Sequence, residues 1–209
     1  MHNYIVFDLE TTGLDPAAGH EIVQIAAHAI HGPTLADHSS GKFSVIIKPN
    51  KPEKASPEAL KVIGPELWEK AQKEGLDRKV ALERLSQWVL TVRHGKTRYD
   101  NPMMVGHNIQ FDYNFAMSEM LEYKVIKDRS DFPFHIRPLC TAQMLHIFWG
   151  HLADTPNNRL DTLLEKFHYH RSSGTHDAVE DVDLTAKCFI RIMRLCRAVE
   201  KMLVIQKSE

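Results

Sequence analysis

Three strand-like runs open the chain, and their order constrains the fold more than any other feature. Residues 4–7 form a continuous apolar run and 22–30 is mainly apolar, whereas 42–48 alternates so that Phe43, Val45 and Ile47 share one face. Glycine and proline interrupt the chain after the first run. Because the links between the runs are short, we expect the first three strands to form an antiparallel meander.

The rest of the chain is predicted to be mainly helical, with two further strands. Helical spacing of apolar residues is clearest in 78–92, and a short apolar run at 103–105 ends at Gly106. The predicted order is three strands, helices, a strand, a helix, a strand and further helices, which describes an α/β domain with a mixed sheet flanked by helices. The other predicted elements are helices at 56–63, 65–74, 109–123, 141–149, 160–167 and 178–204 and a strand at 135–139.

Length and charge limit the possible functions. A chain of 209 residues suits one domain, which we assign to 1–209 with a core at about 4–200. A net charge of −1 provides no basic surface for coating duplex DNA, so any contact with nucleic acid should be local. Three cysteines without a C-x-x-C pair and without a signal peptide predict a cytoplasmic location, and no apolar stretch is long enough for a membrane helix.

The first candidate for chemistry is the pair Asp8 and Glu10, directly after the first apolar run. Alternate residues of a strand share a face, so the two carboxylates should project together from the strand end. Their repulsion and desolvation would call for a neutralising cation. The alternative is that the strand has already ended and that both acids are solvated.

The second candidate is Asp112, in the stretch that follows the fourth predicted strand. Asn108 is a suitable N-cap, which places Asp112 in the first turn of the next helix. This position lies at the carboxyl edge of a sheet, where α/β proteins usually build their sites. An acid placed favourably against the helix dipole is the structural alternative.

The third candidate combines His176 with Asp181 at the start of the last helix. Asp177 and Glu180 have the spacing of a capping box, which makes His176 the residue before the cap. Asp181 then occupies the position whose side chain meets that of His176. A surface contact between a histidine and an aspartate would produce the same pattern.

Together these stretches offer four oxygen donors, Asp8, Glu10, Asp112 and Asp181, and one titratable base, His176. A set made up of hard carboxylate ligands suits Mg²⁺ or Mn²⁺ better than zinc. Two such ions about 4 Å apart would stabilise the attacking and leaving oxygens of a phosphodiester. A histidine can take a proton from the attacking water near neutral pH.

Three segments then resemble the motifs of the DEDDh (DnaQ-like) 3′–5′ exonuclease family, in the order found in that family. They are FDLETTG at 7–13, His107-Asn108-x-x-Phe111-Asp112, and His176-x-Ala178-x-x-Asp181. The resemblance implies a ribonuclease H-like fold with a five-stranded mixed sheet. It also implies a two-metal hydrolase that releases nucleoside 5′-monophosphates from a free 3′ end of single-stranded nucleic acid. The family includes proofreading subunits, so a DNA polymerase or other replication and repair proteins are candidate partners.

The resemblance also implies roles for individual residues. Asp8, Glu10 and Asp181 would hold one metal ion, and Asp8 would bridge to a second ion that Asp112 supports through water. His176 would be the general base. Contacts with the terminal nucleotide are implied for Thr11, Thr12, Gly13, Leu14, Asn108 and Phe111, with Leu14 as a wedge. For Leu14 and Phe111 ordinary core packing is the alternative.

One departure from the family pattern and two other functions remain to be weighed. Cys140-Thr141 stands where many relatives have Asp-Thr, but that acid is not one of the five catalytic positions. We favour DNA as the substrate, but the motifs do not distinguish DNA from RNA, and an exoribonuclease that trims RNA would carry the same motifs. A catalytically silent scaffold on the same fold is a third possibility, although such a scaffold would not need clustered acids.

Overall fold

The central feature of the computed structural model is a five-stranded mixed sheet in the order β3-β2-β1-β4-β5. The structure describes residues 2–152, 155–172 and 177–206, with side chains up to 202. β1 pairs antiparallel with β2 and parallel with β4, while β2–β3 is antiparallel and β4–β5 is parallel. The predicted α/β, ribonuclease H-like fold class is confirmed. The strands are β1 (Tyr4–Thr11), β2 (Ile22–His31), β3 (Ala36–Ile46), β4 (Met103–Gly106) and β5 (Leu139–Cys140).

Six helices cover the sheet within the described ranges, and none of them is long and apolar enough to cross a membrane. The last helix packs on β1 and β2 on one face, and the second and third pack on the other face. Short 3₁₀ turns connect several elements. The helices are α1 (Pro57–Glu74), α2 (Arg78–Val92), α3 (Gln110–Glu122), α4 (Thr141–Trp149), α5 (Leu160–Lys166) and α6 (Ala178–Gln206).

The alternation of β1 divides its side chains between two cores. Ile5 and Phe7 are buried in the core that contains the apolar faces of α2 and α3. Tyr4 and Val6 are buried on the other face, where the ring of Tyr4 contacts that of Phe189 in α6 at a centroid distance of 5.0 Å. Even-numbered positions of β1 therefore point towards α6.

Two sequence predictions need correction, and a third is confirmed. β3 begins at residue 36 rather than 42, because the polar residues 36–41 form an edge strand that still pairs with β2. β5 has two residues instead of the predicted 135–139, since Pro138 cannot donate a backbone hydrogen bond. The helices predicted at 56–63 and 65–74 are confirmed as the two halves of α1, which Gly64 separates with a non-helical φ of 77° that suits glycine.

A buried ion pair ties the start of β2 to two helices. The guanidinium of Arg78 is fully buried and donates to the carboxylate of Glu119 at 2.8 Å and to the carbonyl of Ile22 at 2.9 Å. Glu119 also accepts the backbone N–H of Ile22 at 2.7 Å. Ile22 directly follows the loop between β1 and β2. The ion pair therefore fixes the end of that loop to α2 and α3.

Candidate active site

The two acids of β1 lie inside the strand, not beyond its end. Asp8 pairs in register with Ala26, and Glu10 with Gln24, and the strand continues to Thr11. Glu10 is 7% exposed and Asp8 is partly buried. The alternative of two solvated acids is therefore excluded. By the alternation of β1, both carboxylates belong to the face that α6 covers.

Asp112 reaches the same place from the start of α3. A β-carbon on Gly106 would lie 2.8 Å from the carbonyl oxygen of Phe7, so glycine allows the end of β4 to approach β1 closely. The prediction that Asn108 caps the helix is wrong, because Ile109 occupies the N-cap position and Asn108 adopts a left-handed φ of 63°. Asp112 still falls in the first turn and is buried.

Asp181 comes from the first turn of α6 and is also buried. Asp177 caps this helix by accepting the N–H of Val179 at 3.0 Å. The carboxylate of Glu180, which the sequence places in a capping box, accepts the N–H of Ser172 at 2.6 Å. The predicted base His176 lies outside the described residues, so its contact with Asp181 stays a prediction.

The electrostatics show that these acids act on one another. Burial, and after it the charges of Asp112, Glu10 and Asp181, raise the pKa of Asp8 well above its ordinary value. Burial first and then the charge of Asp181 raise the pKa of Glu10 to about 7. Burial also raises the pKa of Asp112, although backbone N–H groups partly oppose this. Neutralising such a cluster favours a bound cation, and its hard oxygen donors suit Mg²⁺ or Mn²⁺.

Arg171 provides the one positive charge seen against these acids in the described part of the chain. Its guanidinium binds both oxygens of Asp181, with Nε to Oδ1 at 2.7 Å and Nη2 to Oδ2 at 3.0 Å, and it also contacts Asp161. Among the described residues, no three acids or histidines already have the spacing of a formed metal site. Arg171 therefore occupies both carboxylate oxygens of Asp181 in this structure.

The loop that follows β1 is fixed from inside while its tip faces solvent. Thr12 is fully buried, and its hydroxyl accepts the N–H of Glu21 at 2.8 Å. Thr11 donates its hydroxyl hydrogen to the carbonyl of Gly13 at 2.7 Å, and a β-carbon on Gly13 would collide with the ring of His20. Leu14 is 83% exposed, so core packing does not explain it.

The other two residues expected to contact substrate differ in exposure. Asn108 is exposed to solvent. Phe111 is partly buried against the main core, and its ring lies 4.8 Å from that of Phe115. Core packing thus accounts for at least part of the role of Phe111.

Comparison with known proteins decides the family. Residues 5–189 match the family model RNase_T, which is described as an exonuclease family. The chain belongs to this exonuclease family. The resemblance to DEDDh (DnaQ-like) nucleases is thereby confirmed, and so is the expectation of an exonuclease.

The relatives of this exonuclease domain are longer proteins that are distant from it in sequence. The DNA polymerase III subunit epsilon-like protein of Rhodobacter capsulatus is 27% identical over 93% of the chain, and the 3′-5′ exonuclease DinG of Bacillus subtilis is 27% identical over 93%. The chain spans 24% and 18% of those two proteins.

Solved structures share the fold of the domain. E. coli Exonuclease I in complex with a dT13 oligonucleotide superimposes with a TM-score of 0.75 and 17% identity, covering 97% of this chain and 44% of that one. The nuclease domain of 3′hExo, a DEDDh family member bound to rAMP, gives 0.69 and 16%, covering 92% of each chain. At these identities the likeness concerns the fold alone.

Two residues beside the acids were not singled out as site residues from the sequence. Arg171 lies in a loop with no periodic relation to Asp181, so no sequence pattern identifies it. His107 belongs to the second motif, but the sequence predicts no role for it. Its ring contacts the hydroxyl of Thr141 at 3.0 Å and the carbonyl of Asn158 at 2.7 Å. His107 therefore joins the start of α3 to the segments that begin α4 and α5.

Proposed function

We propose that this exonuclease domain hydrolyses the 3′-terminal phosphodiester of single-stranded nucleic acid, with DNA favoured, and releases nucleoside 5′-monophosphates. One observation carries the proposal. Acids from β1, α3 and α6 lie so close together that burial first, and then the charges of Asp112, Glu10 and Asp181, raise the pKa of Asp8. Bound divalent cations would offset both effects. Because the chain belongs to an exonuclease family, the bond that such a centre would cleave is a phosphodiester.

In the proposed mechanism Asp8, Glu10 and Asp181 would hold one divalent ion, and Asp8 together with Asp112 would hold a second. Such ions would supply positive charge to the attacking and leaving oxygens of an in-line displacement. His176 takes the proton of the attacking water. The loop at 11–14 positions the terminal nucleotide, with the exposed Leu14 against the last bases and Thr12 holding the loop from inside.

The choice of substrate and partner is part of the proposal. DinG is named as a 3′-5′ exonuclease, and the Exonuclease I structure contains a dT13 strand, which favours DNA. The rAMP in the 3′hExo structure supports RNA trimming as the second candidate. Similarity to polymerase III subunits makes a DNA polymerase a candidate partner. Three free cysteines agree with a cytoplasmic location.

The proposal is tested with 5′-labelled single-stranded DNA and RNA of one sequence, each incubated with Mg²⁺, Mn²⁺ or EDTA. We expect a ladder that shortens from the 3′ end, requires the metal ion and is absent with Asp8→Ala. The substrate that shortens faster decides between DNA and RNA. If neither strand is degraded with either ion, the catalytic proposal is wrong and the scaffold function takes its place.

A further inference from the structure

A large pocket opens beside the acids, on the side of the sheet where β4 and β5 lie. It has a volume of about 1100 Å³ and is bounded by the turn between β4 and α3, by α4 and by the start of α5. Asn108 and Arg171 belong to its wall. Since Arg171 also holds the carboxylate of Asp181, this residue links the wall of the pocket to the acidic cluster.

The wall of the pocket combines the groups that bind a nucleic-acid strand. Arg159 is exposed, and within the described ranges its guanidinium has no hydrogen bond or ion pair. Ile147 is 72% exposed, and the side-chain amides of Asn108 and Gln143 line the same space. A guanidinium suits a phosphate, an apolar surface suits the face of a base, and amides suit base edges.

The position of Arg159 is set by the fold. The ring of His107 binds the carbonyl of Asn158, the residue directly before Arg159, at 2.7 Å. The side chain of Asn157 accepts the N–H of Arg159 at 2.9 Å and the hydroxyl of Thr162 at 2.8 Å. The segment that carries the free guanidinium is therefore held at both ends.

The order of the strands places the pocket and the loop at 11–14 on opposite sides of the acids. The loop at 11–14 joins β1 to β2, whereas the pocket lies on the β4 and β5 side, so Asp8 and Glu10 stand between them. We propose that the pocket holds the nucleotides upstream of the scissile bond, with Arg159 bound to a backbone phosphate two or three nucleotides from the 3′ end. This inference rests on the proposed function, in which the loop at 11–14 holds the terminal nucleotide.

The test compares substrates that have an upstream strand with one that lacks it. The long substrate is a single-stranded decamer of the preferred nucleic acid. The short one is the p-nitrophenyl ester of thymidine 5′-monophosphate, or of its uridine counterpart, which ends at the scissile phosphate. Arg159→Gln removes one charge, and Ile147→Glu places a negative charge in the pocket. Arg84→Gln and Leu90→Glu are matched exposed controls on α2 that do not line the pocket.

For Arg159→Gln we expect a KM for the decamer that is roughly three- to tenfold higher, with kcat and the hydrolysis of the ester unchanged. The slope of log affinity against log salt should fall by about 0.7, as for one phosphate contact on a single strand. Ile147→Glu should also raise the KM for the decamer and leave hydrolysis of the ester unchanged. The controls should alter the kinetics of neither substrate.

An equal effect on both substrates would overturn the inference, because the pocket would then act on the terminal nucleotide. So would an unchanged KM for the decamer. Binding of a fluorescent decamer in EDTA, followed by anisotropy, separates this inference from the proposed function because it needs no turnover. Weaker binding by Arg159→Gln but not by Arg84→Gln supports the pocket even if the protein cleaves nothing, and equal binding by the two variants refutes it.

Discussion

Glu10→Gln should stabilise the metal-free protein, and increasingly so as the pH rises. The pKa of Glu10 in the folded protein is raised from 4.5 to about 7, first by burial and then by the charge of Asp181. Between these two pH values the folded state binds more protons than the unfolded state, so its stability falls as the pH increases. A glutamine imitates the protonated acid and removes this loss.

The size of the effect follows from the two pKa values. At 1.36 kcal/mol per pH unit, a pKa raised from 4.5 to about 7 corresponds to roughly 3 kcal/mol of lost stability above pH 7. Glu10 is 7% exposed, so solvent screening reduces this value little. Below pH 4.5 the wild-type protein and the variant should differ little, because the acid is protonated in both states.

The assay is urea unfolding in EDTA at several values between pH 5 and pH 8, with the exposed Glu200→Gln on α6 as control. We expect the advantage of Glu10→Gln over wild type to grow by about 2–3 kcal/mol across this range, and the control to stay within about 0.5 kcal/mol. Added Mn²⁺ at pH 8 should reverse the order, since the ion binds the ionised carboxylate. A wild-type protein that loses no more stability than Glu10→Gln would refute the reasoning.

Three further variants test other parts of the structure. Asp8→Ala should abolish nuclease activity but leave the thermal unfolding temperature in EDTA equal or higher, because one of several repelling carboxylates is gone; an active variant would exclude the metal mechanism. Arg78→Met should lower the free energy of unfolding by about 3–5 kcal/mol in urea, since the buried Glu119 loses its partner, and Arg78→Met with Glu119→Leu should recover much of it. Arg171→Gln should tighten Mn²⁺ binding about fivefold by calorimetry because the guanidinium no longer occupies both oxygens of Asp181, and weaker binding would instead show that Arg171 organises the site.

The sequence predicted the elements whose signal is local. The apolar run of β2 and the helical spacing of α2 gave nearly the right bounds for these two elements. The apolar run of β1 identified the strand, but β1 continues past this run to Thr11. The strand β3 was misplaced because its first residues are polar, as an exposed edge strand allows. The two-residue β5 is held by pairing with β4, which no local pattern reveals.

In the candidate site, too, only the features with a local sequence signal could be predicted from the residues. Asp8 and Glu10 could be predicted to share a face because the period of a strand is local. The approach of Asp112 and Asp181 to that face depends on how α3 and α6 pack, and only the resemblance to a family implied it. Arg171 binds Asp181 through a loop contact of ten residues' separation, and a contact of this kind has no sequence period. The pairing of Glu10 with Gln24 likewise required the register of the sheet.

Titration of the protein with Mn²⁺ in the presence of a nucleoside 5′-monophosphate, followed by calorimetry, tests the central claim most directly. The claim is that the acids of β1, α3 and α6 form one divalent-metal centre. We predict two ions per chain for the wild-type protein and for the surface variant Arg84→Gln, and the loss of at least one ion with Asp8→Ala. The same two ions in Asp8→Ala, or none in the wild-type protein, would contradict the account.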